Sequence, residues 1–216
     1  MDQDKRPRNL WISGARWIVR PWYRYVVFAL TTIAVLWVSY DYLFPDKVVV
    51  GEWYENGQKR FEYPYENGKK DGLHIVWHPN GKKAWQATFK DGKQEGLRTT
   101  WNENGQKTWE GTFKDGEQGG LQTAWHANGQ KAWETTFKDG KQNGRHTQWH
   151  ANGQKAWGGT FKDGKKEGEQ MAWFENGQKQ FEGTWLDGKE DGLWTEWDEQ
   201  GNITEQIIYK NGEEVK

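Results

Sequence analysis

The 216-residue chain has no cysteine and only two methionines and five prolines. Without cysteine it can form neither disulfide bonds nor thiolate metal sites. Leucine, isoleucine and valine, which fill most globular cores, are scarce after residue 50, yet the chain holds 17 Trp, 8 Tyr and 9 Phe. Disordered chains are typically poor in aromatic residues. The sequence therefore predicts a folded protein whose buried apolar surface is mainly aromatic.

The charge of the chain is unevenly distributed. Residues 1–24 carry six cationic side chains and two aspartates, a net charge of +4, whereas the whole chain carries −1. The remaining residues therefore sum to −5. Nucleic-acid binding depends on a basic surface that neutralises phosphates. No nucleic-acid partner is predicted.

One long uncharged run lies near the N-terminus, over residues 25–40. Aromatic residues flank it, Trp22 before and Tyr42 after, and such residues favour both membrane interfaces. The run predicts a transmembrane α-helix over residues 22–44, ended by Pro45. Because the basic residues precede it, residues 1–21 are expected in the cytoplasm and the rest outside it, in the periplasm of a Gram-negative cell.

Two other interpretations of this run are weaker. A cleaved signal peptide normally ends in small residues, but bulky Tyr40, Tyr42 and Phe44 follow the apolar run here. A buried core helix would need a matching apolar pattern downstream, and the chain offers none. The sequence is thus most consistent with a single-pass membrane protein.

A 24-residue repeat dominates the rest of the chain. Its clearest mark is a tryptophan that opens a W-x-x-N-G-x-K pattern in all but the last copy. These tryptophans are Trp53, Trp77, Trp101, Trp125, Trp149, Trp173 and Trp197. A further aromatic follows eight residues later, and another opens an aromatic-x-[DN]-G pattern, as in residues 89–92. A glycine closes each unit, for example Gly96.

Asn-Gly and Asp-Gly between alternating runs are strong hairpin signals. Each unit therefore predicts two strands and two turns, or about 14 antiparallel strands in a single-layer, all-β meander roughly 65 Å long. The expected divisions after the helix are a linker with a first strand at 45–52, six repeats over 53–196 and a divergent capping repeat at 197–216. Divergent terminal copies are typical of caps in repeat proteins.

The turn residues also predict a strand register. In residues 77–81, Pro79 suits the second position of a type I turn, and Gly81 suits a left-handed conformation in a three-residue loop. An unbroken ladder from that loop places Trp77 opposite Lys83 and Ile75 opposite Trp85.

The same loop geometry at residues 90–92 places Leu97 opposite Trp85. In that register the two tryptophan series share one aromatic face, and the opposite face is mostly polar. The residues expected on the aromatic face of one unit are Leu73, Ile75, Trp77, Lys83, Trp85, Ala87 and Phe89. The lysine beside each tryptophan is expected to lie along the indole ring.

No catalytic constellation stands out from the repeat. His78, His126 and His150 occupy equivalent positions of the repeat, and even in successive units such positions lie about 9–10 Å apart, too far to share a metal ion. They are interpreted as polar surface residues. The acidic residues follow the repeat at turns, and no phosphate-binding loop or dense calcium loop occurs. Catalysis needs one asymmetric arrangement of groups. We therefore predict no enzyme activity, no metal and no cofactor.

The units resemble the MORN repeat. The resemblance rests on stretches such as residues 101–107 (WNENGQK) and 113–116 (FKDG), and it covers residues 51–212. They look most like the bacterial variant whose proteins are often labelled antitoxin-like. The resemblance implies elongated antiparallel sheets, association with membranes, lipid headgroups or scaffolds, and no catalysis. A weaker likeness exists to choline-binding and glucan-binding repeats.

These observations favour a non-catalytic scaffold or protein-interaction module that binds a protein partner or a second copy of itself. The alternatives are binding of cell-wall carbohydrate, binding of lipid headgroups, and an antitoxin-like role with a toxin partner. The predicted binding face consists of Trp77, Trp85, Trp101, Trp109, Trp125, Trp133, Trp149 and Trp157.

Overall fold

The computed structural model describes residues 46–215. The predicted cytoplasmic segment 1–21 and the predicted transmembrane helix 22–44 lie outside the described residues. Within residues 46–215 there is no helix long and apolar enough to cross a membrane.

The described part of the chain is built entirely of strands and turns. The strands are β1 (Lys47–Trp53), β2 (Lys59–Glu66), β3 (Lys69–Lys70), β4 (Gly72–Trp77), β5 (Lys83–Lys90), β6 (Lys93–Trp101), β7 (Lys107–Lys114), β8 (Glu117–Trp125), β9 (Lys131–Lys138), β10 (Lys141–Trp149), β11 (Lys155–Lys162), β12 (Lys165–Trp173), β13 (Lys179–Leu186), β14 (Lys189–Glu190), β15 (Gly192–Trp197), β16 (Ile203–Lys210) and β17 (Glu213–Glu214).

All 17 strands belong to one open antiparallel sheet. Each long strand pairs with the next along the chain, as β5 pairs with β6 and β6 with β7. The short strand β3 and the longer β4 pair with the same strand, β2, on either side of Asp71. The all-β class and the antiparallel hairpin meander predicted from the sequence are therefore confirmed.

The Asn-Gly turns have the predicted geometry. The Gly81 amide donates to the His78 carbonyl at 2.9 Å, and the His78 amide donates to the Lys82 carbonyl at 2.8 Å. These two bonds close a three-residue loop, and Gly81 has the left-handed φ of 81° that the sequence predicted. The Asn80 side chain accepts the Lys82 amide at 3.0 Å, which explains the preference for asparagine before the glycine.

The Asp-Gly turns are tighter than predicted. Lys90 pairs directly with Lys93, so only Asp91 and Gly92 form the loop. Both residues have positive φ, 50° and 85°, as a type I′ turn requires. The expectation of a three-residue loop here was wrong, because an Asp-Gly pair supplies both positive-φ positions by itself.

A β-bulge beside each Asn-Gly turn changes the register. Trp77 pairs with Lys83 as predicted, but the next pair along is Val76 with Trp85. Ala84 is therefore an extra residue in β5. The predicted pairing of Ile75 with Trp85 is wrong, since Ile75 pairs with Gln86 instead.

A second irregularity follows each Asp-Gly turn. Phe89 pairs with Gln94, but Ala87, two residues before Phe89 in β5, pairs with Arg98. Strand β6 therefore contains two extra residues. Gly96 lies in this bulge with a φ of 78°, which explains the repeated glycine that closes each unit. Thr100, not the predicted Leu97, therefore lies opposite Trp85.

The bulges place the two tryptophan series on opposite faces of the sheet. Val76 pairs with Trp85, so their side chains lie on the same face of the sheet. Trp77 follows Val76 in the strand, and because side chains alternate, it points to the opposite face. Gly158 gives the same result, because a β-carbon there would lie 3.6 Å from the Trp173 ring although its neighbour is Trp157. The prediction of one aromatic face and one polar face is wrong, because a shift of one residue moves a side chain to the other face.

We name the two faces by their aromatic rows. The Trp–Lys face carries Trp53, Trp77, Trp101, Trp125, Trp149, Trp173 and Trp197. The Trp–Phe face carries Trp85, Trp109, Trp133 and Trp157 with Phe89, Phe113, Phe137 and Phe161. The buried residues lie at mid-strand positions of both faces, such as Ala87 on the Trp–Phe face and Thr99 on the Trp–Lys face.

Candidate interaction surfaces

A lysine covers almost every ring of the Trp–Lys face. The Lys59 ammonium lies 5.7 Å from the centroid of Trp77, and Lys83 lies 5.9 Å from that of Trp101. The same contact recurs from Lys107, Lys131, Lys155 and Lys179 to Trp125, Trp149, Trp173 and Trp197 at 5.6–5.9 Å. The predicted lysine–indole contact is thus present, but the ring belongs to the following repeat. Each contact links two successive units.

Most of these lysines also meet an acidic side chain. Lys107 and Lys131 pair with Glu110 and Glu134, three residues on, and equivalent pairs form at Lys59 and Lys179. Exposed ion pairs of this kind contribute little stability. Their effect is to present a regular row of indole, cation and anion.

A row of exposed leucines runs beside these tryptophans. Leu73, Leu97 and Leu121 are 45%, 45% and 51% exposed. They alternate with residues that point to the Trp–Phe face, so they lie on the Trp–Lys face. The equivalent residues in the next two units are Arg145 and Glu169, and leucine returns at Leu193, which is 54% exposed.

The Trp–Phe face is held together by aromatic pairs and a polar row. The rings of Trp85 and Phe89 lie 6.3 Å apart, and the equivalent pairs in later units lie at similar distances. Side chains at one repeat position fill the space between the two aromatic rows. We call this set the polar row: His74, Arg98, Gln122, His146 and Gln170.

The polar row forms hydrogen bonds to the backbone beside the bulges. Gln122 donates to the Thr112 carbonyl at 3.0 Å, and Gln170 donates to the Thr160 carbonyl at 2.9 Å. Thr112 and Thr160 both lie where the strand register shifts, next to the extra residues of the bulge. His74 makes the equivalent bond to the Pro64 carbonyl at 2.9 Å. The row thus adds a side-chain hydrogen bond to the backbone carbonyl at these register shifts.

The residues opposite the polar row are small. A β-carbon on Gly111 or Gly159 would lie 1.8 Å from the amide oxygen of the glutamine beside it. His74, Gln122 and Gln170 are completely buried. The polar row is therefore part of the interior and does not offer a surface to a ligand.

Burial lowers the pKa of two histidines in this row. The main cause at both His74 and His146 is desolvation, and for His74 the hydrogen bond to Pro64 opposes the shift while nearby Lys70 adds to it. Both imidazoles are therefore held in the neutral form more strongly in the folded than in the unfolded chain.

Acidification from pH 8 to pH 5 is expected to lower the urea midpoint of the array. An unfolded histidine ionises near pH 6.5, so below that pH the unfolded chain binds more protons than the folded chain. The stability due to neutral His74 and His146 is complete above about pH 6.5 and is lost as the pH falls towards their lowered folded pKa values.

Matched variants test this prediction by circular dichroism. His146→Gln, which copies the residue at the equivalent positions 122 and 170, is expected to reduce the loss. Gln122→His, which adds an imidazole to the same buried row, is expected to increase it. Identical pH dependence in both variants would contradict the burial argument. Asp191 and Asp198, whose pKa values are lowered chiefly by side-chain hydrogen bonds, lose their contributions only at lower pH.

Hydrogen bonds between the turns at both edges of the sheet connect successive repeats. His78, His126 and His150 each donate from Nε2 to the carbonyl of the tryptophan that opens the next unit, at 2.8–2.9 Å. These histidines were predicted to be polar surface residues, and nothing in their spacing indicated this bridging role. At the other edge, the Gly116 amide donates to the Gln94 carbonyl of the preceding unit at 2.9 Å, and the other Asp-Gly turns follow the same pattern.

The predicted binding residues are not brought together on one face. Trp77, Trp101, Trp125 and Trp149 lie on the Trp–Lys face. The other four, Trp85, Trp109, Trp133 and Trp157, lie on the Trp–Phe face. Across residues 46–215, no group of three or more histidine and acidic side chains is arranged to hold a metal ion.

Three segments of the chain match the sequence profile of the MORN repeat variant: residues 52–67, 166–187 and 190–211. These matches fall at both ends of the sheet and follow its 24-residue period. MORN repeats suggest a module for interaction with proteins or membranes. A comparison with curated proteins finds no match.

Two solved structures show a distant similarity. The crystal structure of accessory secretory protein 1, 2 and 3 in Streptococcus pneumoniae is 16% identical over 49% of this chain and 19% of that chain, with a TM-score of 0.28. The crystal structure of TarM is 9% identical over 63% of this chain and 25% of that chain, with a TM-score of 0.24. The chain spans about a fifth to a quarter of those chains.

Proposed function

We propose that the chain is a membrane-anchored, non-catalytic scaffold whose MORN-variant array binds a protein partner through the Trp–Lys face. Residues 22–44 would anchor it, with the N-terminus in the cytoplasm and the array on the other side of the membrane. The observation that carries the proposal is the unbroken row of seven tryptophans on one face of an open sheet.

The composition of this face suits protein recognition. Tryptophan is enriched at the energetic centres of protein interfaces, and continuous exposed apolar patches mark interaction sites. Here the half-buried indoles run beside Leu73, Leu97 and Leu121, each about half exposed. The adjoining lysine–glutamate pairs resemble the polar rim that surrounds an apolar interface.

The Trp–Phe face is the weaker candidate. Its middle is filled by the buried polar row, and its aromatic side chains contact one another across that row. Trp185, for example, is only 3% exposed and packs against Trp194 at 4.9 Å. This face has the features of an interior that stabilises the sheet.

The proposal is tested by affinity capture with the full-length chain, solubilised from membranes after chemical cross-linking. We expect a specific protein to be recovered with the wild-type chain and lost with Leu97→Ser combined with Leu121→Ser. Gln148→Ser, an exposed residue of the Trp–Phe face, is the matched control and should retain the protein. Equal recovery from all three chains would contradict the assignment of the Trp–Lys face. A toxin partner would be identified by the same capture.

Carbohydrate binding is the second candidate function, because the indole row is exposed and regularly spaced. Equivalent residues lie two strands apart, about 9–10 Å, a regular spacing that suits a polymer. Titration with soluble peptidoglycan or glucan fragments would quench or shift the tryptophan fluorescence if sugar rings stack on the indoles. Unchanged fluorescence would leave protein binding as the function of this face.

A further inference from the structure

The N-terminal edge of the sheet is open among the described residues. Strand β1 pairs with β2 along one side, and no strand within residues 46–215 pairs with its other side. Val48, Val49 and Val50 are 41%, 55% and 44% exposed. A seven-residue edge strand with three exposed valines is a ready template for pairing with another chain.

Trp53, the last residue of this strand, lacks a contact that its equivalents have. The six later tryptophans of the Trp–Lys face each have a lysine from the preceding unit within 5.6–5.9 Å of the ring. No such lysine is found for Trp53 among residues 46–215, and this side chain is 46% exposed. A lysine would have to come from a strand on the open side of β1.

The backbone of β1 has its free hydrogen-bonding groups on that open side. The Asn67 amide donates to the Asp46 carbonyl at 2.7 Å, so Asp46 points towards β2. Alternation along the strand directs Val48 and Val50 the same way. The amide and carbonyl groups of Val49 and its alternate neighbours therefore point outward.

The opposite end of the sheet does not fit this edge. The Val215 amide donates to the Ile208 carbonyl at 2.7 Å, so the chain end already covers part of β16. Continuing the repeat from β16 into β1 of another copy would place Glu52 beside Glu205, because Phe181 and Glu196 are neighbours at the equivalent positions. Two carboxylates facing each other disfavour head-to-tail stacking.

We propose that β1 pairs antiparallel with β1 of a second copy, about a two-fold axis at Val50. This register keeps each face of the sheet continuous across the dimer. It places Lys47 of one copy opposite Trp53 of the other on the Trp–Lys face, and so supplies the missing lysine. The interface uses the same strand from both copies, so it closes as a dimer.

This inference goes beyond the proposed function, because it names a second copy, bound at the sheet edge, as a further partner of the array. The two remain separable, since the dimer uses the sheet edge and not the leucine row. If the chain were monomeric and still captured its protein through Leu97 and Leu121, the proposed dimer would be ruled out and the proposed function would stand.

Single cysteines test the register, because the natural chain has none. Val50→Cys is expected to give a disulfide-linked dimer of the full-length chain in membranes under mild oxidation, since directly opposed residues have Cα atoms about 4.5–5.5 Å apart. Val48→Cys is the matched control. Its counterpart in the second copy would lie four residues away along the strand, roughly 13 Å, which is too far to bridge.

A proline variant separates edge pairing from random collision. Val49→Pro removes only an outward-pointing amide, so the fold should keep its circular dichroism spectrum while the Val50→Cys cross-link is lost. Absence of the cross-link at Val50, equal cross-linking at Val48 and Val50, or cross-linking that survives Val49→Pro would each overturn the proposed dimer.

Discussion

Replacement of Trp185 by alanine is expected to lower the free energy of unfolding of the C-terminal repeats by about 3–5 kcal/mol. Trp185 is the most buried tryptophan in the sheet, only 3% exposed. Its ring contacts Trp194 at 4.9 Å, Phe181 at 6.2 Å and the Lys166 ammonium at 4.7 Å. Truncation would leave a cavity where several strands meet, and an open sheet has no second layer to fill it.

The matched control is Trp53→Ala, at a ring that is nearly half exposed. Circular dichroism in urea measures the loss for both variants, and amide hydrogen exchange locates it. In a repeat array the effect should concentrate in neighbouring units, because each unit contacts only the next. Equal shifts of the urea midpoint would show that Trp185 is not part of a core.

Deletion of residues 125–148 is expected to leave a folded array that is two strands shorter. The deletion removes one full period and joins Ala124 to Trp149. The new junction is identical to the old one, because residues 125–131 and 149–155 have the same sequence, WHANGQK. The retained hairpins keep their faces, so the sheet should shorten by about 9–10 Å in small-angle scattering.

Deletion of half a period is the control. Removing residues 125–136 joins Ala124 to Phe137 and eliminates one strand and its turn. Every following strand would then need to run in the opposite direction, against its own turns. We expect loss of the cooperative urea transition. A half-period deletion as stable as the full-period one would contradict the assignment of two strands to each 24-residue unit.

The features that could be predicted from the sequence are those that depend on local chemistry. Asn80-Gly81 and Asp91-Gly92 indicate turns because their backbone conformations are favourable for those residue types. Their regular spacing predicts antiparallel hairpins. The pairing of Trp77 with Lys83 was also predictable, because it lies within a few residues of the turn.

The faces could not be predicted in the same way. They depend on where Ala84 and Gly96 interrupt the ladder, and an inserted residue leaves no mark in the alternation of polar and apolar side chains. Aromatic residues occur on both faces here, so no polar face exists to reveal the error. The shift in register caused by the bulges therefore divides the eight predicted binding tryptophans between the two faces.

The sizes of the side chains contained the information needed to predict the correct register, because large side chains on one strand lie opposite small ones on the next. Gly111, Gly159 and Gly183 recur at one position, and large polar side chains such as Gln122 and Gln170 recur at another. Pairing the large residues with the small ones gives the observed ladder of Gln170 opposite Gly159 and Gly183. The contact between each lysine and the tryptophan of the next repeat could likewise not be predicted, because the position of the lysine depends on the bulge.

The opposed faces are tested most directly by a pair of engineered disulfides. Leu73→Cys with Thr88→Cys is expected to form a bridge within the chain, because the two residues pair across β4 and β5. Leu73→Cys with Ala87→Cys should form none, because Ala87 points to the other face. The opposite result, a bridge to position 87 and none to position 88, would return both tryptophan series to one face and contradict the account.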